Sequence, residues 1–168
     1  MILISLRGGT KTQRNLTEDA ARYIIKQLLP RKRKLNIDFH IRNTLIEDAV
    51  GYCSMLDNTN DFLIELHHRG TLYDYISFLA HELVHLKQYT KKEVNEAGFW
   101  KGKDFSKAAY RKQPWEIEAW KRQHSLAKDF IKNELGITLK DAKNISPRTM
   151  REIDWDLEIK YLEDICSE

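Results

Sequence analysis

Apolar and polar residues alternate along residues 35–41, which predicts a half-buried β-strand. Alternate side chains of a strand point to opposite faces of its sheet, so one face is apolar and the other polar. Three more strands are predicted at residues 1–6, 48–55 and 62–67, where shorter apolar runs are bounded by turn-forming residues. We expect these four strands to form a small, mostly antiparallel twisted sheet, with the 62–67 strand at its edge.

Apolar residues that recur every three or four positions predict two helices in the first half of the chain. The first begins at a capping box formed by Asn15 and Glu18 and ends before Pro30. The second, the central helix, spans about residues 72–89 and carries a continuous apolar stripe, made of Leu72, Ile76, Leu79, Leu83 and Leu86. Strands and helices in this arrangement indicate an α+β fold.

Two further helices are predicted in the second half, each opened by a proline, which is favoured in the first turn of a helix. Pro114 opens a helix that continues to about residue 134, and Pro147 opens a C-terminal helix that continues to about residue 165. The C-terminal helix is apolar on both sides. We therefore expect it either to pack on the domain with one side and form a homodimer with the other, or to be deeply buried.

The length of 168 residues fits one compact domain, residues 1–168, of which about 136–168 form a C-terminal helical extension. The excess of Lys and Arg over Asp and Glu is only 28 − 25 = 3, so net charge alone cannot drive binding to nucleic acid or to a membrane. A contact with DNA would need a local patch. The best candidate is a basic cluster, formed by Arg31, Lys32, Arg33 and Lys34.

The sequence predicts neither a targeting segment nor a disulfide framework. The apolar N-terminus is short and has neither a basic segment before it nor a cleavage site, so it predicts a strand and not a signal peptide. No apolar run is long enough for a membrane span. The two cysteines, Cys53 and Cys166, cannot build a disulfide framework or a cysteine zinc site. We expect a cytoplasmic protein without a membrane partner.

The central helix contains His81-Glu82-Leu83-Val84-His85, a match to H-E-x-x-H. Residues four apart lie one helical turn above each other, so both imidazoles can reach one tetrahedral zinc ion while Glu82 lies beside it. Zinc would acidify its bound water, and Glu82 would accept the proton as general base while that water attacks a carbonyl.

The histidines lie on the side of the central helix opposite its apolar stripe. At 100° per residue, His81 and His85 fall roughly 180–220° from Leu72. Two histidines in such a position are ordinarily solvated surface groups. Here Phe78 and Tyr89 lie on nearly the same side, which indicates that this face lines a cleft.

A catalytic zinc ion typically takes three protein ligands and one water, so the motif needs a third ligand. The helix that follows Pro114 offers two glutamates. Glu118 lies among charged residues, whereas Glu116 shares a face with Trp120, Gln123, Ala127 and Phe130. An unpaired carboxylate on an inward face is costly unless a cation compensates it. We therefore predict Glu116 as the ligand and keep Glu118 as the alternative.

Three segments together resemble the short zinc metallopeptidases of the gluzincin type, including the single-domain forms of bacteriophages. These segments are the motif with its continuation Leu86-Lys87-Gln88, then Trp100-Lys101-Gly102-Lys103, and Pro114-Trp115-Glu116-Ile117-Glu118-Ala119. The resemblance covers roughly residues 35 to 130. It implies a zincin-like fold, in which an edge strand beside the active-site helix holds an extended peptide.

The resemblance also implies roles for individual residues. His81, His85 and Glu116 would hold one zinc ion per chain, with Glu82 as the general base. Many gluzincins place an Asp four residues after the third ligand, where this chain has Trp120. Such enzymes commonly use a Tyr or His to stabilise the oxyanion, and the candidates are Tyr110 and His124.

Hydrolysis of peptide bonds in a peptide or protein substrate is the leading prediction. An alternative is a catalytically inactive zincin-like binding module that recognises a protein or, through the basic cluster, DNA. In a third interpretation zinc serves structure alone, so that its removal would unfold the domain.

Two further sets of residues are predicted to have structural roles. His67 and His68 are predicted to be surface groups at a strand end, and the core is predicted to contain Trp100, Trp115 and Trp120.

Overall fold

The computed structural model of the chain describes residues 1–45, 49–58 and 60–148. Within these ranges the chain has an α+β fold with a small mixed sheet and four helices. The elements follow one another in the order β1 (Ile2–Gly8), α1 (Lys11–Leu28), β2 (Leu35–Arg42), β3 (Gly51–Met55), β4 (Asp61–His67), α2 (Leu72–Thr90), β5 (Phe99–Trp100), β6 (Lys103–Asp104), α3 (Pro114–Asn133) and α4 (Leu139–Ala142).

The main sheet has the strand order β1-β2-β4-β3. β1 and β4 both run parallel to β2, and only β3 and β4 are antiparallel. The prediction of a mostly antiparallel sheet is therefore wrong. The helix α1 returns the chain to the starting end of the sheet, which makes β1 and β2 parallel. β4 has partners on both sides, so the edge strand beside α2 is β3 and not the predicted 62–67 strand.

The helices cover one face of the sheet, and the core lies between them and that face. β2 alternates buried and half-buried residues, as its period-two pattern predicts. α2 contacts α1, α3, β3 and β4, so it is buried on nearly all sides. Its polar face therefore lies inside the molecule together with its apolar stripe.

The start of α1 differs from the prediction. Its capping box is formed by Thr10 and Gln13, not by Asn15 and Glu18. Both pairs have capping-box spacing, and the one next to the Gly8–Gly9 turn is used. The predicted helices at 72–89 and 114–134 agree with α2 and α3 to within one residue. Between them, β5 and β6 pair as a short antiparallel hairpin.

The C-terminal helix predicted at 147–165 lies almost entirely outside the described residues, as does Cys166, so the expected homodimer stays a prediction. The basic cluster follows α1 and is mostly exposed. Cys53 lies on β3. Among the described residues, no helix has both the length and the apolar character that crossing a membrane requires.

Candidate metal centre

Three side chains with metal-binding atoms converge where α2 faces α3. His81 and His85 lie one turn apart on α2, and Glu116 lies in the first turn of α3. One atom from each of them lies within 4.8 Å of the other two. The two Nε2 atoms are 3.1 Å apart, and oxygens of Glu116 lie 3.2 Å from Nε2 of His81 and 3.3 Å from Nε2 of His85.

The local sequence explains this convergence. The spacing of four puts both histidines on one face of α2, and Pro114 fixes the start of α3 so that Glu116 falls in its first turn. A carboxylate there is also favoured by the helix dipole. His81 is only 7% exposed and Glu116 only 6%. The histidines are thus not solvated surface groups, and the predicted cleft on this face of α2 is confirmed.

The second nitrogen of each imidazole has a glutamine partner. Nδ1 of His81 lies 2.8 Å from Oε1 of Gln123, and Nδ1 of His85 lies 2.8 Å from Oε1 of Gln88. An amide oxygen only accepts hydrogen bonds, so each Nδ1 carries the hydrogen and donates it. In the neutral rings, both Nε2 atoms then carry lone pairs that face each other and the Glu116 carboxylate.

The chemistry and spacing of these three acceptors fit a divalent ion such as zinc. Electron-rich nitrogen and carboxylate oxygen atoms in contact repel one another unless a cation lies between them. A tetrahedral zinc ion with bonds of about 2.0–2.1 Å holds its ligand atoms about 3.3–3.4 Å apart. The two Nε2 atoms are 3.1 Å apart, and they lie 3.2 and 3.3 Å from the two different oxygens of Glu116, which is close to that value. Two imidazoles and one carboxylate also form a donor set that catalytic zinc uses.

Burial and the neighbouring polar groups have opposite effects on the pKa values of Glu116 and His85. Burial raises the pKa of Glu116, but the imidazoles of His81 and His85 and the hydroxyl of Tyr110 beside its carboxylate outweigh burial and lower the pKa to about 2. For His85, burial lowers the pKa, but the neighbouring carboxylates of Glu116 and Glu82 outweigh burial and raise the pKa. Glu116 is therefore anionic at neutral pH and could bind a cation.

Glu82 lies in the wall of the same cavity and is only 5% exposed. Burial raises its pKa to about 6, and the charges of His85 and His81 oppose that rise. The backbone of β3 packs directly against the carboxylate, because a Cβ added at Gly51 would lie 2.6 Å from Oε1 of Glu82. A carboxyl group with a pKa near the working pH is suited to accept a proton and release it again.

The ligands and Glu82 open into a cavity of about 650 Å³. Residues 49–53, α2, α3 and the 3-10 turn Tyr110–Lys112 form its walls. Several of the large hydrophobic side chains that are exposed in the described chain border this cavity and are called the apolar rim below: Val50, Tyr52, Tyr110 and Trp120. Exposed apolar side chains gathered at one cleft are typical of a binding surface.

Sequence reasoning did not assign a function to Gln88 or Gln123. Their positions could have indicated a role, since both are polar residues on helix faces that carry His81, His85 or Glu116. Both are buried in the structure. Gln123 bonds His81, and Trp120 occupies the position where the gluzincin resemblance would place an Asp. The ring of Trp120 meets that of His81 edge-on at 5.1 Å and is 46% exposed, so its assignment to the core is wrong. Trp115 is half-buried and lines the cavity.

Of the two candidates for stabilising an oxyanion, Tyr110 lies at the site. It lines the cavity, and its hydroxyl helps to lower the pKa of Glu116. Burial is the largest cause that raises the pKa of Tyr110, so the phenol keeps its proton. His124 does not line the cavity, and its Nδ1 lies 3.0 Å from the hydroxyl of Tyr73, on whose ring it stacks.

The remaining candidates lie apart from the three ligands. Glu118, the alternative third ligand, is bound by Lys87 and Gln88 at 2.6 and 2.8 Å. The rings of His67 and His68 contact each other, and neither lines the cavity. The basic cluster does not line it either, and its contact with DNA stays a prediction.

The arrangement can therefore hold one divalent ion between two helices, with a buried carboxyl group beside it and an open cavity in front of it. Those parts are the ones that metal-assisted attack of water on a carbonyl requires. Comparison with protein-family models, with curated proteins and with solved structures found no match to this chain.

Proposed function

We propose that this chain is a zinc-dependent metallopeptidase with a zincin-like fold, in which His81, His85 and Glu116 hold one zinc ion. One observation carries the proposal: two imidazole nitrogens and the two oxygens of the Glu116 carboxylate converge at 3.1–3.3 Å, with no hydrogen between them when both rings are neutral and donate from Nδ1. The buried carboxyl of Glu82 beside them adds the base that hydrolysis needs. The resemblance of the motif segments to gluzincins supports the same reaction.

Zinc, when bound, supplies a Lewis acid that lowers the pKa of water and polarises a carbonyl group. Glu82 accepts the proton from the attacking water and passes it to the leaving amine. Its pKa of about 6 suits both transfers, because the group can be deprotonated before the attack and can hold the proton afterwards. The hydroxyl of Tyr110 is the candidate donor to the negative charge that develops on the carbonyl oxygen.

The substrate would be an extended peptide along β3. This strand pairs with β4 on one side and has no partner strand on the other side among the described residues. A peptide can add to such an edge through backbone hydrogen bonds, while pockets select its side chains. The apolar rim favours peptides with aromatic or aliphatic residues near the bond that is cleaved.

A peptide library rich in apolar residues tests the proposal, with the products identified by mass spectrometry. We expect zinc-loaded protein to cleave beside large apolar side chains, and Glu82→Gln to retain zinc and lose cleavage by about 10²-fold or more. Trp120→Ala should cleave the same bonds with altered preference for the flanking residue. Equal cleavage by wild type and Glu82→Gln would contradict the proposal.

The alternatives predict different results in the same samples. A binding module would recognise a protein or DNA with an affinity that Glu82→Gln leaves unchanged, and its DNA affinity would fall with salt. If zinc serves structure alone, removing the metal would unfold the domain.

A further inference from the structure

Lys87 is a buried cation close to the ligand cluster. It lies on α2 and is only 4% exposed, although lysine is seldom buried without charged partners. Its Nζ lies 2.7 Å from Oε2 of Glu93 and 2.6 Å from Oε1 of Glu118. This triad ties the last turns of α2 to α3 and to the segment that follows α2.

Glu118 connects the triad to Gln88. Its Oε2 lies 2.8 Å from Nε2 of Gln88, and the backbone oxygen of Trp115 lies 2.9 Å from the same nitrogen. A carboxylate and a backbone carbonyl only accept hydrogen bonds, so the amide must turn its NH₂ group toward them. The amide oxygen then points toward Nδ1 of His85, at 2.8 Å.

The orientation of Gln88 decides which nitrogen of His85 carries the hydrogen. An amide oxygen at Nδ1 requires a hydrogen there and leaves the lone pair on Nε2, the atom in the ligand cluster. A reversed amide would donate to Nδ1 and leave the hydrogen on Nε2, where it would block a metal ion. Gln123, the partner of His81, has a weaker anchor, since its Nε2 lies 3.4 Å from a ring nitrogen of His124.

We propose that Glu118, held in place by Lys87, is a positioning residue for the metal ligand His85. The inference rests on the proposed metal function, because a fixed lone pair on Nε2 of His85 matters only if Nε2 binds a metal ion. It also gives separate roles to the two glutamates of α3: Glu116 is the ligand, and Glu118 fixes the tautomer of another ligand.

A merely structural role for the triad makes a different prediction, and Glu93 separates the two. Glu93 and Glu118 both neutralise Lys87, but only the Glu118 carboxylate bonds the side chain of Gln88. If the triad only joins elements, Glu93→Met and Glu118→Met should have equal effects on the site. If Glu118 positions His85, only Glu118→Met should change it.

Zinc affinity is the first readout, measured by competition with a chromogenic chelator. We expect Glu118→Met to weaken zinc binding about 10- to 100-fold, the usual range for loss of a group that orients a ligand. Glu93→Met should stay within about threefold of wild type, whatever its effect on melting temperature. Equal losses in the two variants, or an unchanged affinity in Glu118→Met, would overturn the proposal.

The tautomer of His85 is the second readout and needs no metal. Nitrogen-15 NMR of the metal-free protein distinguishes a hydrogen on Nδ1 from one on Nε2 at a pH high enough to keep His85 neutral, which lies above the ordinary imidazole range because the pKa of His85 is raised. The Glu116 carboxylate favours the other tautomer, because it can accept a hydrogen from Nε2 of His85. Loss of the Glu118–Gln88 contact should therefore shift the equilibrium between the two tautomers. We expect mainly the Nδ1–H form in wild type and in Glu93→Met, and a shift toward Nε2–H in Glu118→Met.

The two readouts also separate this inference from the proposed function. A wild type that binds no zinc but shows a Glu118-dependent tautomer would refute the metal centre and retain the positioning role. A tautomer that does not respond to Glu118 would refute the positioning role alone. Should Glu118→Met fail to fold because Lys87 loses a partner, Lys87→Met with Glu118→Met removes both charges together, and the same shift is expected.

Discussion

Gly51 and Glu82 meet in the wall of the cavity, where residue 51 opens the edge strand. With no Cβ at position 51, the β3 backbone lies directly against the carboxyl group, since an added Cβ would be 2.6 Å from Oε1. The nearest atoms belong to a flexible side chain and not to backbone. A methyl group at this position should therefore move the carboxyl group of Glu82, the proposed general base, and leave the fold intact.

We predict that Gly51→Ala retains zinc and lowers kcat/KM by about 10²-fold, a loss typical of displacing a reacting group by about 1 Å. Its melting temperature should stay close to that of wild type. Ser54→Ala is a suitable control, because Ser54 is exposed on the same strand. Full activity in Gly51→Ala would show that the position of Glu82 is not critical.

At the scale of elements, α1 and α2 are linked by a buried hydrogen bond. The hydroxyl of Tyr75 lies 2.7 Å from Oγ1 of Thr17, and Thr17 also donates to the carbonyl of Gln13 at 2.6 Å. Tyr75→Phe would remove one bond and leave the Thr17 hydroxyl with a partner. We expect a loss of about 1 kcal/mol in the free energy of unfolding.

Urea unfolding measures this loss, with Tyr23→Phe as the matched control. The hydroxyl of Tyr23 bonds Asn133 at the surface, so its removal should change stability by less than about 0.5 kcal/mol. Equal losses in the two variants would contradict a specific role for the Thr17–Tyr75 bond in joining α1 to α2.

The helices were more predictable than the sheet, for a physical reason. The bounds of α2 and α3 follow from local spacing and from Pro114, and these also direct Glu116 toward the histidines. The alternation of apolar and polar residues in a strand predicts which face of that strand is buried, but it does not predict which other strands pair with it. The parallel pairing and the edge position of β3 depend on contacts between distant segments, and so does the Lys87–Glu118–Gln88 chain. A helical wheel likewise puts Trp120 beside Glu116 but cannot show that a cavity opens there.

At the scale of the whole molecule, the core is larger than the metal centre and is built from different residues. Its buried apolar side chains come from α1, α2, α3, β2 and β4. We therefore predict that removing zinc with a chelator leaves the domain folded, with unchanged far-ultraviolet circular dichroism. Unfolding on chelation would favour the interpretation in which zinc serves structure alone.

Zinc should nevertheless raise the melting temperature by mass action. Free zinc at about 100 times its Kd adds about 2.7 kcal/mol, which corresponds to roughly 5–11 °C for a chain of this size. Differential scanning calorimetry with and without zinc measures the shift. His81→Ala should show almost none, whereas a shift as large as that of wild type would place the ion elsewhere.

Metal content tests the central claim most directly. Protein purified with zinc present, freed of loosely bound ions and analysed for its elements should contain about one zinc per chain. His81→Ala and Glu116→Ala should lose it, and His67→Ala, which alters a histidine outside the cavity, should keep it. Wild type without zinc under these conditions, or variants that retain it, would contradict the assignment of His81, His85 and Glu116 as the metal centre.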